Sequence, residues 1–174
     1  DTDYDYDALS RPSRISYPET TGERFFVELA YGLYGALALI TAPDEEGKMR
    51  RIWEATERGP SGRTTRAWFG DKLEAFRTYE PETGRLARMR ARVPGTYDDA
   101  FRFDYKYDGN GNLTNRTEIT VDFGESFQYD SLDRLELWSR GPAGEDSYRT
   151  EYEYDHGGNL RRRLRRHPVG SKDF

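Results

Sequence analysis

The sequence contains no cysteine, which excludes disulfides and thiolate chemistry within the chain. It has only two histidines, His156 and His167, too few to close a zinc site without cysteine. No run approaches the roughly 18 consecutive apolar residues that cross a bilayer, so no membrane span is expected. The opening Asp1-Thr2-Asp3-Tyr4 is no signal peptide, so an exported protein of this sequence would draw its delivery machinery from elsewhere. Neither sign of charge dominates. With 27 Lys and Arg against 32 Asp and Glu, the net charge of −5 gives no general attraction to nucleic acid or anionic lipid. There is no serine elbow and no phosphate-binding loop. No nucleophile, metal set or cofactor motif is specified, and the expectation is a protein that is not an enzyme and holds no cofactor.

Aromatic residues are plentiful. Tyr, Phe and Trp make up 14% of a chain whose apolar and charged fractions are equal at 34%, and disordered chains are poor in aromatics. Rings suit a pleated, half-buried surface and carry a large apolar area each. At 174 residues the chain is one domain or one piece of a longer array.

Internal repetition is the main feature. Tyr107-Asp108-Gly109-Asn110-Gly111-Asn112-Leu113, Tyr129-Asp130-Ser131-Leu132-Asp133-Arg134-Leu135 and Tyr154-Asp155-His156-Gly157-Gly158-Asn159-Leu160 nearly superimpose. Tyr6-Asp7-Ala8-Leu9-Ser10-Arg11 is a fourth copy with Pro12 in the Leu position. Tyr31-Gly32-Leu33-Tyr34-Gly35-Ala36-Leu37 keeps the spacing without the Asp, and Tyr79-Glu80-Pro81-Glu82-Thr83-Gly84-Arg85-Leu86 is one residue longer. Anchor tyrosines fall at 6, 31, 79, 107, 129 and 154, so the wide gap of 48 residues hides a degenerate copy, with Gly59-Pro60-Ser61-Gly62 as its turn. Around the turns, Phe101, Phe103, Tyr105 and Tyr107 alternate with Arg102, Asp104 and Lys106, and Phe25, Val27, Leu29 and Tyr31 likewise keep to odd positions. A period of two means strands with one apolar face. Gly and Asn in the gaps supply the positive-φ positions of hairpin loops, and the Asp after each Tyr is placed to accept backbone N–H bonds in its turn. Tyr31 to Ile40 also admits a short buried helix, but two glycines weaken it by about 1 kcal/mol each and the match to the other copies favours a hairpin.

The Tyr-Asp-x-x-Gly-Asn-Leu core and its period resemble the YD repeats of bacterial Rhs proteins, of the BC components of Tc insecticidal toxins and of animal teneurins. The resemblance runs from Tyr4 to about Arg163. It implies an all-β chain whose tandem hairpins form a curved or spiralling sheet, a segment of a hollow shell. The repeat array then covers residues 1–166, with anchors near 6, 31, 55, 79, 107, 129 and 154, and residues 167–174 form a C-terminal tail. The implied role is a structural wall of a secreted or cell-delivered bacterial polymorphic toxin. Its partners are other YD-repeat segments of the same shell and an enclosed C-terminal toxin domain. A closed shell needs many more repeats, and the paired Asp-Pro-x-Gly terminator of the family is missing. The sequence therefore reads as a fragment or one partner of a larger assembly, with no self-cleavage credited to its residues. The rival reading is a carbohydrate-binding or cell-adhesion module, for which Trp53, Trp68 or Trp138 would lie flat and exposed.

Other candidate sites are weaker. Asp108 to Asn112 opens like an EF-hand, but Leu113 and Ile119 stand where that loop needs its Gly and its bidentate Glu. His156 falls in a repeat turn. Paired carboxylates for glycoside hydrolysis are not singled out among so many acids. Arg161-Arg162-Arg163-Leu164-Arg165-Arg166 reads either as a basic patch for nucleic acid or acidic cargo, or as an outgoing strand whose arginines blunt an edge. The second is preferred, since no aromatic interleaves the run and the chain is acidic, so no nucleic-acid partner is expected. Asn112-Leu113-Thr114 and Asn115-Arg116-Thr117 match glycosylation acceptors, which matter only in an animal protein.

Overall fold

The computed structural model describes residues 1–19, 22, 24–142 and 147–166. The chain is all-β. Its strands are β1 (Asp3–Tyr6), β2 (Pro12–Ser16), β3 (Phe26–Tyr31), β4 (Leu37–Pro43), β5 (Met49–Arg58), β6 (Thr64–Phe69), β7 (Leu73–Tyr79), β8 (Leu86–Arg92), β9 (Asp99–Tyr107), β10 (Leu113–Glu118), β11 (Phe123–Tyr129), β12 (Leu135–Pro142), β13 (Tyr148–Tyr154) and β14 (Leu160–Arg166). Strand order follows chain order, β1 to β14, as expected of successive hairpins. The helical alternative at Tyr31–Ile40 reduces to one 3-10 turn, Leu33–Gly35, at the tip of the β3–β4 hairpin. No helix among the described residues is long and apolar enough to cross a membrane.

Two compact units can be distinguished. The first comprises Asp1–Arg77 with Ala91–Asp98. Its fully buried side chains are small: Ala42, Ala67, Ala75 and Ala91, together with the acid Glu74. Ala55, Ala67 and Ala75 are cross-strand partners along β5, β6 and β7, so larger neighbours close over them. The second unit comprises Thr78–Arg90 and the chain from Asp99 onward. There Leu137, Ser139, Thr150 and Glu118 are buried, and the Ser126 and Ser139 hydroxyls share a hydrogen bond of 2.6 Å across the strands.

Among the described residues no ring is fully buried in either unit, because a side chain on a sheet face is covered only by its neighbours on that face. Half-burial of a Tyr or Phe contributes about 1 kcal/mol, half the value of a fully buried ring. Arginines complete the cover by lying on the rings. Arg14 sits 3.5 Å over Phe26, and Arg51 4.8 Å over Trp68. Arg92 lies 5.0 Å over Phe76. Such contacts add about 0.5–1 kcal/mol where exposed. This arrangement explains how a chain so rich in charge folds: the charges serve as cover for the rings.

Candidate functional site

The repeat turns share one backbone geometry. At Asp130 the N–H donates to the carbonyl of Arg134 at 2.9 Å, and the N–H of Asp133 donates back to the Asp130 carbonyl at 3.0 Å. The same pair of bonds forms at Asp7, Gly32, Asp44, Gly59, Asp108 and Asp155. Each time the fourth turn residue has positive φ: Ser10, Gly35, Gly47, Gly62, Gly111, Asp133 and Gly158. In all of these but the Gly32 turn this is a type I turn closed by a left-handed residue, the three-residue hairpin loop; in the Gly32 turn the third residue, Tyr34, also has positive φ, 65°. In the longer Glu80 turn the positive φ falls on Gly84. The sequence spacing follows directly. Tyr6 pairs across the turn with Pro12, Tyr31 with Leu37, Tyr107 with Leu113, Tyr129 with Leu135 and Tyr154 with Leu160.

The acid ties the turn. Asp130 Oδ1 accepts from the N–H of Leu132 and of Arg134 at 2.9 and 3.0 Å, and Oδ2 accepts from Arg134 Nε at 2.7 Å. Asp7 does the same with Leu9 and Arg11, and Asp44 with Glu46, Lys48 and the Arg50 guanidinium. In the Asp108 and Asp155 turns Asn112 and Asn159 replace the arginine. The Arg11, Arg50 and Arg134 guanidinium groups first, and then the backbone N–H groups, hold Asp7, Asp44 and Asp130 below the usual carboxylate range.

The tyrosine has a role that the sequence pattern did not disclose. Its hydroxyl donates to the backbone carbonyl of the residue in the Leu position of the preceding repeat. Tyr31 reaches Pro12 at 2.7 Å, Tyr107 reaches Leu86 at 3.0 Å, Tyr129 reaches Leu113 at 3.0 Å and Tyr154 reaches Leu135 at 2.9 Å. Desolvation raises the Tyr107 and Tyr129 phenols above their ordinary values, so both keep the donated proton at neutral pH. In the degenerate copy, whose turn begins at Gly59, Arg58 occupies the tyrosine position and its guanidinium donates to the Leu37 carbonyl. An arginine there preserves the link although the motif is lost. An arginine ahead of the Leu position adds a second link by lying over the next repeat's ring, as do Arg11 over Tyr31 at 4.2 Å, Arg85 over Tyr107 at 5.7 Å and Arg134 over Tyr154 at 4.7 Å. Where Asn112 replaces it, the amide reaches the next turn at Asp133 Oδ1, 2.7 Å away.

Two buried acids are satisfied by different means. Glu74 is 3% exposed and accepts from Arg66 Nε at 2.6 Å and Arg92 Nη2 at 3.0 Å. Burial alone would raise its pKa, but the two guanidinium groups overcome that and hold it low. Glu118 is likewise held low against burial, by the backbone N–H of Arg102 at 3.0 Å and by the N–H and hydroxyl of Thr120. Both are structural anchors of their strands.

The other sequence candidates separate. Asp108 to Asn112 forms the repeat turn, and no group of three metal-binding side chains occurs among the described residues. His156 sits in the Asp155 turn, and His167 lies outside the described residues. Asn112 is tied to Asp108 and Asp133, and Asn115 is half-buried in β10. Trp53, Trp68 and Trp138 are all half-buried rather than flat on the surface, and Trp138 donates to Glu125 at 3.2 Å. Arg161 to Arg166 lie on the outgoing strand β14, where Arg162 pairs with Glu153 and Arg166 with Glu151.

No protein-family description matches the chain, and no curated protein matches it. Solved structures do. The crystal structure of TcdB2-TccC3-Cdc42 is similar with a TM-score of 0.75 and 21% identity over 99% of this chain. Those of TcdB2-TccC3-TEV and of TcdB2-TccC3 without its hypervariable C-terminal region give 0.74 each, with 20% and 21% identity over 97% of the chain. The chain spans about 9% of the length of each of these proteins, and what it shares with them is the fold.

Proposed function

We propose that this chain is a wall segment of a YD-repeat shell of the Rhs and Tc type, which encloses a toxin domain lying C-terminal to it in the parent protein. It acts by containment rather than catalysis, in a protein that is secreted or delivered to a target cell. The observation that carries this reading is the inter-repeat link, in which the tyrosine position of one hairpin donates to the carbonyl of the hairpin before it. The link uses a backbone acceptor, so it tolerates sequence drift and can be repeated without limit. A wall needs that property and a catalytic cleft does not. The fold likeness to TcdB2-TccC3 supports the reading. That protein has a hypervariable C-terminal region, the kind of segment a shell would hold. The carbohydrate-binding alternative draws no support from Trp68 and Trp138, which are engaged by Arg51 and Glu125.

The test is electron cryomicroscopy of the full-length parent protein combined with limited proteolysis. The expected result places these strands in the wall of a closed chamber, with the downstream segment inside and protected from protease until the wall is opened. Strands lying outside any chamber, or a downstream domain cut as readily as a free control, would overturn it.

A further inference from the structure

The arginine run on β14 is less uniform than its sequence suggests. Register divides it between the two faces of the strand pair. Arg162 lies opposite Glu153 and Leu164 opposite Glu151, whereas Arg163 lies opposite Tyr152 and Arg165 opposite Thr150. On the first face acids are supplied: Arg162 pairs with Glu153 at 3.2 Å and Arg166 with Glu151 at 3.4 Å. On the second, Arg163 and Arg165 form no ion pair among the described residues. One strand further in, Thr150 is opposite Trp138, and Tyr148 is opposite Arg140. Arg140 is also without an ion pair among the described residues, and lies 5.4 Å over the Trp138 ring and 5.0 Å over that of Tyr148. Its cross-strand acid, Glu125, is already taken by Arg116 and by the Trp138 indole N–H. The result is a groove of about 280 Å³ in which five of eight lining residues are arginine and none is acidic.

Three neighbouring guanidinium groups with no counter-charge among the described residues repel one another, and the opposite face of the same strand shows how readily glutamates relieve such repulsion. We infer that this groove is a docking site for an acidic polypeptide segment, whose carboxylates are received by Arg140, Arg163 and Arg165. Planar guanidinium forks suit carboxylates through paired, charge-assisted bonds. A carboxylate side chain fits the groove volume. A nucleic-acid strand fits less well, because Arg140 already occupies a face of both rings that would stack on bases. The sequence argued against a binding role because no aromatic interrupts the arginine run. The sheet supplies Trp138 and Tyr148 from β12 and β13 instead. This inference does not depend on the wall reading.

The experiment titrates the full chain with a short synthetic peptide carrying glutamate at alternate positions, and in parallel with a single-stranded DNA oligonucleotide and with inorganic phosphate. Peptide binding is expected to weaken at least about tenfold in Arg163→Gln/Arg165→Gln and to stay within about twofold in Arg162→Gln, which lies outside the groove lining. A readout on the unmodified chain keeps the test independent of folding: the Trp138 indole N–H resonance should move on peptide addition while those of Trp53 and Trp68 stay. Absence of peptide binding, an equal loss in Arg162→Gln and in Arg163→Gln/Arg165→Gln, or tighter binding of the oligonucleotide or of phosphate would each overturn the proposal.

Discussion

The turns at Asp130 and Gly59 have the same backbone and different chemistry. Both close with the same two hydrogen bonds and put a positive φ at the fourth residue, Asp133 at 58° and Gly62 at 75°. Asp130 adds a carboxylate that holds two N–H groups and Arg134, while Gly59 has nothing equivalent. Yet both turns are preceded by a residue that reaches the hairpin before, Tyr129 in one and Arg58 in the other. The Asp44 turn is the converse. It has the acid and its bonds, but Pro43 in the tyrosine position has no donor to offer. Three functions are therefore separable: the left-handed residue makes the turn, the acid stiffens it, and the preceding side chain couples it to its neighbour.

The largest effect is expected where the turn itself is attacked. Gly111 has φ of 100°, and a Cβ there would run into the Arg85 guanidinium. Gly111→Val should cost about 2 kcal/mol or more, from a β-branched residue at positive φ. Gly158, at 85° with open space around it, should cost less for the same change. Chemical denaturation of the two variants measures the difference, and equal costs would show that the Arg85 contact contributes nothing.

Loss of the coupling comes next. Tyr129→Phe removes the donor to the Leu113 carbonyl and should cost about 1 kcal/mol, the usual net worth of such a bond. Hydrogen exchange should quicken on both sides of the β10–β11 pair while the Asp130 turn stays protected. A change confined to the Asp130 turn would refute the separation of coupling from stiffening.

Removing the acid acts more locally. Asp130→Ala should expose the Leu132 and Arg134 amides to exchange and leave the strand amides of β11 unchanged. Acid should imitate it. The folded pKa of Asp130 is below its unfolded value of about 3.9, so the stabilisation is complete above that value and is lost as pH falls through the folded pKa. Protection at Leu132 and Arg134 should therefore drop below about pH 4, while the Gly59 turn shows no such step.

The alternation, the turns and the role of Asp were legible because local chemistry dictates them. The Tyr-to-Leu spacing is a direct record of two residues facing each other across a five-residue turn. The coupling was not legible, since its acceptor is a carbonyl that every residue possesses, about one repeat away. Nor was the Asp44 turn, because tyrosine marks the repeat and Pro43 stands in its place. The degenerate copy turns at Gly59 to Gly62 as the sequence indicated, but its anchor is Arg58 and not a residue near 55, because an arginine donates there with a different functional group. Glu74 carried no signal at all, as its burial depends on Arg66 and Arg92, which are brought to it by strand pairing and by a residue distant in sequence.

The smallest effect runs in the stabilising direction. Gly59 is not in the left-handed region, and a Cβ there would meet only Thr65 Cγ2 at 3.4 Å and the Arg63 carbonyl at 4.0 Å, ordinary contacts. Arg63 already stands four residues on, where Arg11 and Arg134 clasp their turn acids. Gly59→Asp should then rebuild the missing clasp, with carboxylate bonds to the N–H groups of Ser61 and Arg63. It also removes a flexible glycine from the unfolded chain. The gain should be about 0.5 kcal/mol, after the side-chain ordering cost is set against the new bonds. Gly59→Asn offers one acceptor oxygen without the charge and should gain less, and Gly59→Ala isolates the glycine effect alone. Thermal unfolding of the three variants at neutral pH and again below pH 4 separates the contributions. The advantage of Asp over Ala should vanish in acid, because only the charged carboxylate binds Arg63. An advantage that persists below that pH, or an Asp variant no better than Ala, would show that the clasp in the other turns is a consequence of the turn geometry and not a contributor to it.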